Sequence, residues 1–313
     1  MPLSPLSRAL VRLPLLILCF CATANIDPLL PQASAGPDAS VGVLIMAHGG
    51  GAEWNAQVEA VAREVHLPGP IGVSFLMGPG AAAGRFQDVT QDLVRRGAHE
   101  IVVIPMLVSS HSGHYEQVRY LVGGTDSLDA EMRQHLEMSG ITRAPTDVPI
   151  RLAHAMDDAP EVAEALAARA LALAREPAAE ALFIVGHGPS SSEAYAAWMD
   201  NLRRVADTVR ARSGFRTVLV DLVKDDASAP VRAEAVQRIR ELIQLQHDLT
   251  GRDVIVVPLL VASGSLNRQK LPADLAGLPI RYSGEAMLPH PAMARWVEAR
   301  VREAIKEPPS PLP

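Results

Sequence analysis

The sequence predicts an α/β protein of two duplicated domains, each a parallel sheet flanked by helices, with a site in the cleft between them. Three observations carry this. Continuous apolar runs alternate with segments of helical periodicity, as in parallel strands covered on both faces. The cycle restarts at mid-chain: residues 100–108 (Glu-Ile-Val-Val-Ile-Pro-Met-Leu-Val) match residues 253–261 (Asp-Val-Ile-Val-Val-Pro-Leu-Leu-Val). Both halves also end their first strand on a His-Gly step, His48-Gly49 and His187-Gly188.

The elements follow in order. Val41–Ala47 is apolar throughout, the pattern of a strand buried on both faces. Residues 53–65 form a helix, with Trp54, Val58, Val61 and Val65 spaced by three and four. The strand 71–76 is broken by Gly78-Pro79-Gly80. The helix 85–96 closes on Gly97 just past its end. The third strand, 101–108, leads into Ser109-Ser110-His111-Ser112-Gly113-His114, and a helix starts over 116–121. Residues 150–153 are a short fourth strand, and 159–175 an alanine-rich helix. After Glu176-Pro177 the matching strands are 182–185, 218–222, 254–261 and Ile280–Tyr282, and the matching helices 193–211, 230–246 and 291–305. The offsets 187 − 48 = 139, 258 − 105 = 153 and 279 − 149 = 130 differ by loop-sized insertions, as in duplicated domains rather than a short repeat. The expected division is therefore a targeting segment 1–35, domains 36–176 and 177–306, and a proline-rich tail 307–313.

Of the 313 residues 48% are apolar, enough for a sizeable core, and the net charge is −6 with no basic block. Nucleic acid is excluded as the expected partner. Residues 1–35 read as a secretory signal. Arg8 and Arg12 precede an apolar run, 13–22, that falls short of the roughly 20 residues a membrane span needs. Ala22-Thr23-Ala24 and Ala33-Ser34-Ala35 each offer a cleavage point, the second starting the mature chain at Gly36. The expectation is an exported, periplasmic protein with no integral span after cleavage, of open oligomeric state. The only cysteines, Cys19 and Cys21, lie in this segment, so a metal site must use histidine, carboxylate or solvent.

In a parallel sheet ligands bind beyond the carboxyl ends of the strands. Of the ten histidines, His48, His111 and His187 follow such ends, and His114 stands three residues after His111. His48, His111 and His114 are read as one metal site, because neutral imidazole suits divalent transition metals. Gly49, Gly50 and Gly51 remove side chains beside His48, so a flat ligand can approach closely. The loop has neither the lysine nor the spacing of a nucleotide-binding turn. His66, His99, His135, His154, His247 and His290 are read as structural.

Taken together, the apolar strand ending in His-Gly, the Val-Val-x-Pro-x-Leu-Val-Ser-x-His pattern at 102–111 and the repetition of this frame resemble the CbiX-type sirohydrochlorin cobaltochelatases of the class II chelatase superfamily. Residues 279–297, with Leu288-Pro289-His290-Pro291, resemble that family's last strand and helix, so the likeness spans 41–305. The resemblance implies a chelatase-like fold and a lyase of cobalamin or porphyrin biosynthesis. Its substrates would be a divalent metal, Co²⁺ first and Ni²⁺ or Fe²⁺ next, and a sirohydrochlorin-like tetrapyrrole. It also implies His48 as first metal ligand and, as second, either His111 or His114, six and nine residues after Pro105. A second imidazole or Glu116 would accept pyrrole protons. Gly49, Arg85, Arg119, Lys224 and His187 would meet the tetrapyrrole and its carboxylates. His187 matches the first ligand, but residues 264–267 hold no second histidine, so the second half is read as a degenerate wall of the cleft. Biosynthetic relatives of this kind work in the cytoplasm, a departure from the signal segment read here. Two other readings fit the same residues: an exported metal- or haem-binding protein without turnover, and a metal-dependent hydrolase using His48, His111 and His114 with a bound water.

Overall fold

The computed structural model describes residues 41–189 and 191–306. The signal segment 1–35 and the tail 307–313 expected from the sequence lie outside these residues. The first repeat runs β1 (Val41–Ala47), α1 (Ala52–Glu64), β2 (Ile71–Phe75), α2 (Phe86–Arg95), β3 (Glu100–Met106), α3 (Gly113–Leu121), α4 (Ala130–Met138), β4 (Ile150–Leu152) and α5 (Pro160–Leu173). A 3₁₀ turn at Pro177–Ala179 leads into the second: β5 (Ala181–Gly186), α6 (Ser192–Ser213), β6 (Thr217–Leu222), α7 (Ala229–Thr250), β7 (Val254–Leu259), a π-helical turn (Leu266–Lys270), α8 (Leu271–Asp274), β8 (Ile280–Tyr282) and α9 (Ala292–Lys306).

Each repeat forms a four-stranded, all-parallel sheet, in the orders β2-β1-β3-β4 and β6-β5-β7-β8. The registers correspond: Met46 pairs with Pro105, and Val185 with Pro258. Strand residues alternate between two apolar layers, which explains the unbroken apolar runs. Val43 and Ile45 face a core shared by both repeats, whereas Leu44 and Met46 face a core under α2 and α3. Leu182 and Ile184 likewise join the shared core, while Phe183 and Val185 face α7.

The shared core is built reciprocally. Helix α5 of the first repeat packs against β7 of the second, and α9 of the second packs against β3 of the first. Polar contacts cross as well. Buried Asp157 accepts hydrogen bonds from the backbone N–H and hydroxyl of Ser110, at 2.8 and 2.6 Å, and from Asn201 of α6 at 3.2 Å.

Two features differ from the sequence reading. Helix α4 has no counterpart there, because among its nine residues only Leu136 is buried and no apolar stripe marks it. It is instead started by Asp129, whose carboxylate accepts from the backbone of Glu131 and Met132. The π-helical turn and α8 are likewise too short to show a period. Among the described residues no helix is long and apolar enough to cross a membrane.

The topology marks where a ligand belongs. Helix α1 covers one face of the first sheet and α3 the other, so the chain reverses between adjacent β1 and β3. The carboxyl ends of these two strands therefore flank a crevice. In the second repeat α6 and the segment after β7 diverge in the same way.

Glu180, just before β5, gives one testable account of stability. Its buried carboxylate pairs with Arg281 and accepts from the backbone N–H groups of Arg175 and Glu176, each at 3.0 Å. Burial alone would raise its pKa, but the Arg281 hydrogen bond and the two amides outweigh it and hold the carboxyl below its ordinary value. A pKa depressed by folding adds stability above the unfolded value and loses it as pH falls through the folded one. Glu180→Gln is expected to destabilise the protein by about 2 kcal/mol at pH 7. In denaturant midpoints the gap to wild type narrows as pH falls below the ordinary glutamate value of about 4.3 and closes only below the lower folded value, where the carboxyl is protonated in both states.

Candidate metal centre

His48 is held where β1 ends. Backbone N–H groups of Leu76 and Met77 donate to the carbonyls of Ala47 and His48, at 3.0 Å each, tying this turn to the end of β2. Gly49 then turns the chain at φ +92°. Its carbonyl lies 2.7 Å from His48 Nδ1. A carbonyl only accepts, so Nδ1 carries the proton and Nε2 keeps its lone pair.

His114 lies in the first turn of α3, which Ser112 starts by accepting from the backbone N–H of Tyr115 at 3.1 Å. Its Nδ1 is 2.8 Å from Gln117 Oε1, and buried Gln117 donates through Nε2 to the Met132 carbonyl of α4 at 2.7 Å. That second bond fixes which way the amide faces, so His114 Nδ1 donates and its Nε2 is the free atom. The two imidazole rings stand 4.6 Å apart between centroids, edge to face at 80°.

Both imidazoles are kept neutral. Burial lowers the His48 pKa, and the charge of His187 adds to this against the Gly49 hydrogen bond. Burial, then the charge of His48, lowers His114 to about 4. Neutral imidazole is the form that binds metal, so protons compete poorly for this pair at neutral pH.

The other residues singled out in the sequence sit differently. His111 is exposed, and no hydrogen bond, ion pair or ring contact joins its imidazole to another described residue. Glu116 and Arg119 pair with each other at 3.3 Å on the half-exposed side of α3. Arg85 precedes α2. Its Nε is shielded from solvent without a hydrogen-bond partner, and a Cβ on Gly140 would sit 3.3 Å from it. Lys224 lies with Nζ 4.6 Å from the Tyr195 ring centroid. His135, read from sequence as structural, is on α4. Its Nδ1 is also shielded and unpartnered, and its charge acts on both His48 and His114. Only helix α4, silent in the sequence pattern, brings it there.

The second repeat repeats the first turn. His187 Nδ1 is 2.8 Å from the Gly188 carbonyl, and Gly188 has φ +81°. Here, however, Nε2 lies 3.3 Å from Asp226 Oδ2. Burial would lower the His187 pKa, but the Asp226 hydrogen bond and charge outweigh it and raise it. The His187 bond, against desolvation, lowers Asp226, with the charges of His114 and His48 contributing. One ligand atom each of His187, Asp225 and Asp226 lies within 4.8 Å of the others. Asp225 is already held by Arg232 at 2.9 Å and Lys270 at 2.7 Å, leaving His187 and Asp226 as the open pair. Asn267 stands at the position matching His114 (114 + 153 = 267) and is fully buried. It accepts from Gly264 N–H at 2.8 Å and donates to Ser263 Oγ and the Gly284 carbonyl, so it braces the loop rather than facing a ligand.

Gln117 is the support most open to test. Gln117→Leu removes the acceptor that fixes His114, and loss of such an orienting partner typically costs about 10–100-fold in metal affinity. The expected result is that loss in a Co²⁺ titration followed by visible absorption.

The sequence pattern of the CbiX family matches this chain twice, over residues 42–173 and 181–304. Among solved structures, SirB from Bacillus subtilis with Fe³⁺ is similar at 16% identity and a TM-score of 0.59, over 85% of this chain and 96% of SirB. DR2241 from Deinococcus radiodurans, described as a multi-domain protein with structural similarity to chelatases, is similar at 19% identity and a TM-score of 0.51. That match covers 83% of this chain and 54% of DR2241. No curated protein sequence matches the chain.

Proposed function

The chain belongs to the CbiX family, and from that premise we propose that it inserts a divalent metal ion into a tetrapyrrole macrocycle. The observation that carries the proposal is the His48–His114 pair, 4.6 Å apart at the crevice between β1 and β3, with both Nδ1 atoms engaged and both Nε2 atoms free. Two neutral imidazoles with an open side hold an ion without enclosing it, which insertion requires. Four protein ligands would close the site, whereas two leave positions for solvent and then for pyrrole nitrogen.

Co²⁺ is the metal favoured by this reading, ahead of Ni²⁺ and Fe²⁺; imidazole accepts all three, and availability decides among them as much as affinity. The macrocycle is sirohydrochlorin-like and its carboxylates need cationic partners, for which Arg85, with no hydrogen-bond partner at Nε, is the candidate. An exported, periplasmic location belongs to the same reading, tested by fractionating cells for the mature chain.

The deciding experiment mixes metal-free protein, sirohydrochlorin and Co²⁺ and follows the visible spectrum of the macrocycle. Many turnovers per protein molecule, lost in His48→Ala, support insertion. One equivalent bound with no altered product means a metal- or tetrapyrrole-binding protein instead, and a rate equal to the uncatalysed one rejects the proposal.

A further inference from the structure

The two repeats carry complementary remnants of one arrangement. In the first, the ends of β1 and β3 supply two imidazoles, and the turn after β2 is Gly78-Pro79-Gly80, with no carboxylate. In the second, the end of β5 supplies His187, the position after β7 holds the buried Asn267, and the turn after β6 supplies Asp226. The turns correspond through matching hydrogen bonds, Leu76 N–H to Ala47 and Val223 N–H to Gly186. Their offset is 223 − 76 = 147, which places Asp226 opposite Pro79 (226 − 147 = 79). What each half lacks the other has.

We propose that the His187–Asp226 dyad removes the pyrrole protons during metal insertion, so that one repeat holds the metal and the other takes the protons. This rests on the insertion reading above and assigns a role to the second repeat within it. Metal insertion must release two N–H protons. As each N–H bond breaks, its electron pair stays on nitrogen and becomes the donor pair of the new nitrogen–metal bond. The proton enters through the exposed Asp226 carboxylate and passes to His187 Nε2, whose one lone pair faces Asp226 while Nδ1 is already bonded to the Gly188 carbonyl. The imidazolium is then held by Asp226 at 3.3 Å. Asp226, with a side chain 69% exposed, opens the dyad to water, which takes the proton before the second transfer. Two protons leave for each divalent ion that enters, so charge balances.

The groups facing His187 favour this division. Asp226 and Asp225 lie beside it, and Asp225 is neutralised by Arg232 of α7 and Lys270 of the π-helical turn. Lys224, in the loop that carries both aspartates, lies with its Nζ 4.6 Å from the Tyr195 ring centroid. From the first repeat, the charges of His48 and His114 act on Asp226. Environment therefore drives the imidazoles apart, His48 and His114 toward the neutral ligand form and His187 toward proton uptake, the separation that assigns acid–base roles.

The test compares wild type, His187→Gln and Asp226→Asn for Co²⁺ affinity without macrocycle and for insertion rate against pH. General-base loss typically lowers a rate by about 10²–10⁴-fold, and this is the drop expected for His187→Gln, with Co²⁺ affinity kept within about threefold. In Asp226→Asn the relay is lost, so the maximal rate also falls, and the acid limb of the pH profile moves to lower pH, because the carboxylate no longer favours the imidazolium. A purely structural role for Asp226 would not move that limb. Co²⁺ affinity lost in step with rate would make the dyad part of the metal site and overturn the proposal. Unchanged rates in both variants would make it a wall of the cleft and also overturn it. A wild type that never turns over sinks the insertion reading, and this proposal with it, whereas a wild type that turns over with unaffected variants sinks only this one.

Discussion

Replacing His114 by alanine is expected to abolish tight metal binding and to slow insertion by more than about 100-fold, whereas His111→Ala stays within about twofold of wild type. The first figure follows from comparison with indirect support: removing a partner that merely orients a ligand costs about 10–100-fold in affinity, and removing the ligand itself exceeds that. A single remaining imidazole at His48 would be a monodentate site. His111 is exposed, with no ring contact to the pair, so its loss leaves the geometry intact. Co²⁺ titration and the metallation rate, measured on both variants, decide between the two histidines that sequence spacing leaves open. The opposite ranking, with His111→Ala the inactive one, would remove the basis for the site as described.

Gly49→Ala is the second large effect. The backbone there is at φ +92°, and an added Cβ would lie 2.2 Å from the Met77 carbonyl oxygen. Holding a non-glycine residue in such a region costs about 1–3 kcal/mol before any clash. The clash is with backbone that is itself tied to His48, so the turn cannot yield without moving its imidazole. The expected loss is about 3 kcal/mol or more, which for a protein of this size lowers the melting temperature by roughly 6–12 °C. Gly51→Ala is the matched control, because a Cβ there meets nothing within 4 Å; its effect stays within about 0.5 kcal/mol. Equal melting temperatures for the two variants would contradict the account of Gly49.

How much of this could be read beforehand depends on distance along the chain. The strands were legible because a strand buried on both faces is apolar at every position, as Val41–Ala47 and residues 101–106 are. The repeat was legible because Pro105 and Pro258 stand in the same register against β1 and β5. The choice between His111 and His114 turns on one residue, Ser112. As the cap it places His114 inside the first helical turn and His111 before it, and the Ser112-to-Tyr115 spacing is a signal that was available. Asp226 was not legible. It lies 226 − 187 = 39 residues from His187, and only the pairing of β5 with β6 brings the two together. His135 was hidden for another reason: helix α4 buries one apolar side chain, so nothing periodic announces it.

The crosswise docking of the closing helices has a consequence for biogenesis. Strand β3 receives α9, the last of the described elements, so its inward side stays bare until residues 292–306 have been made. A polypeptide stopped anywhere before residue 292 would present that apolar surface to solvent, and chaperones or proteases would meet it there. Maturation is therefore expected to be cooperative rather than vectorial, with protease resistance of the first repeat arising only after α9 has emerged.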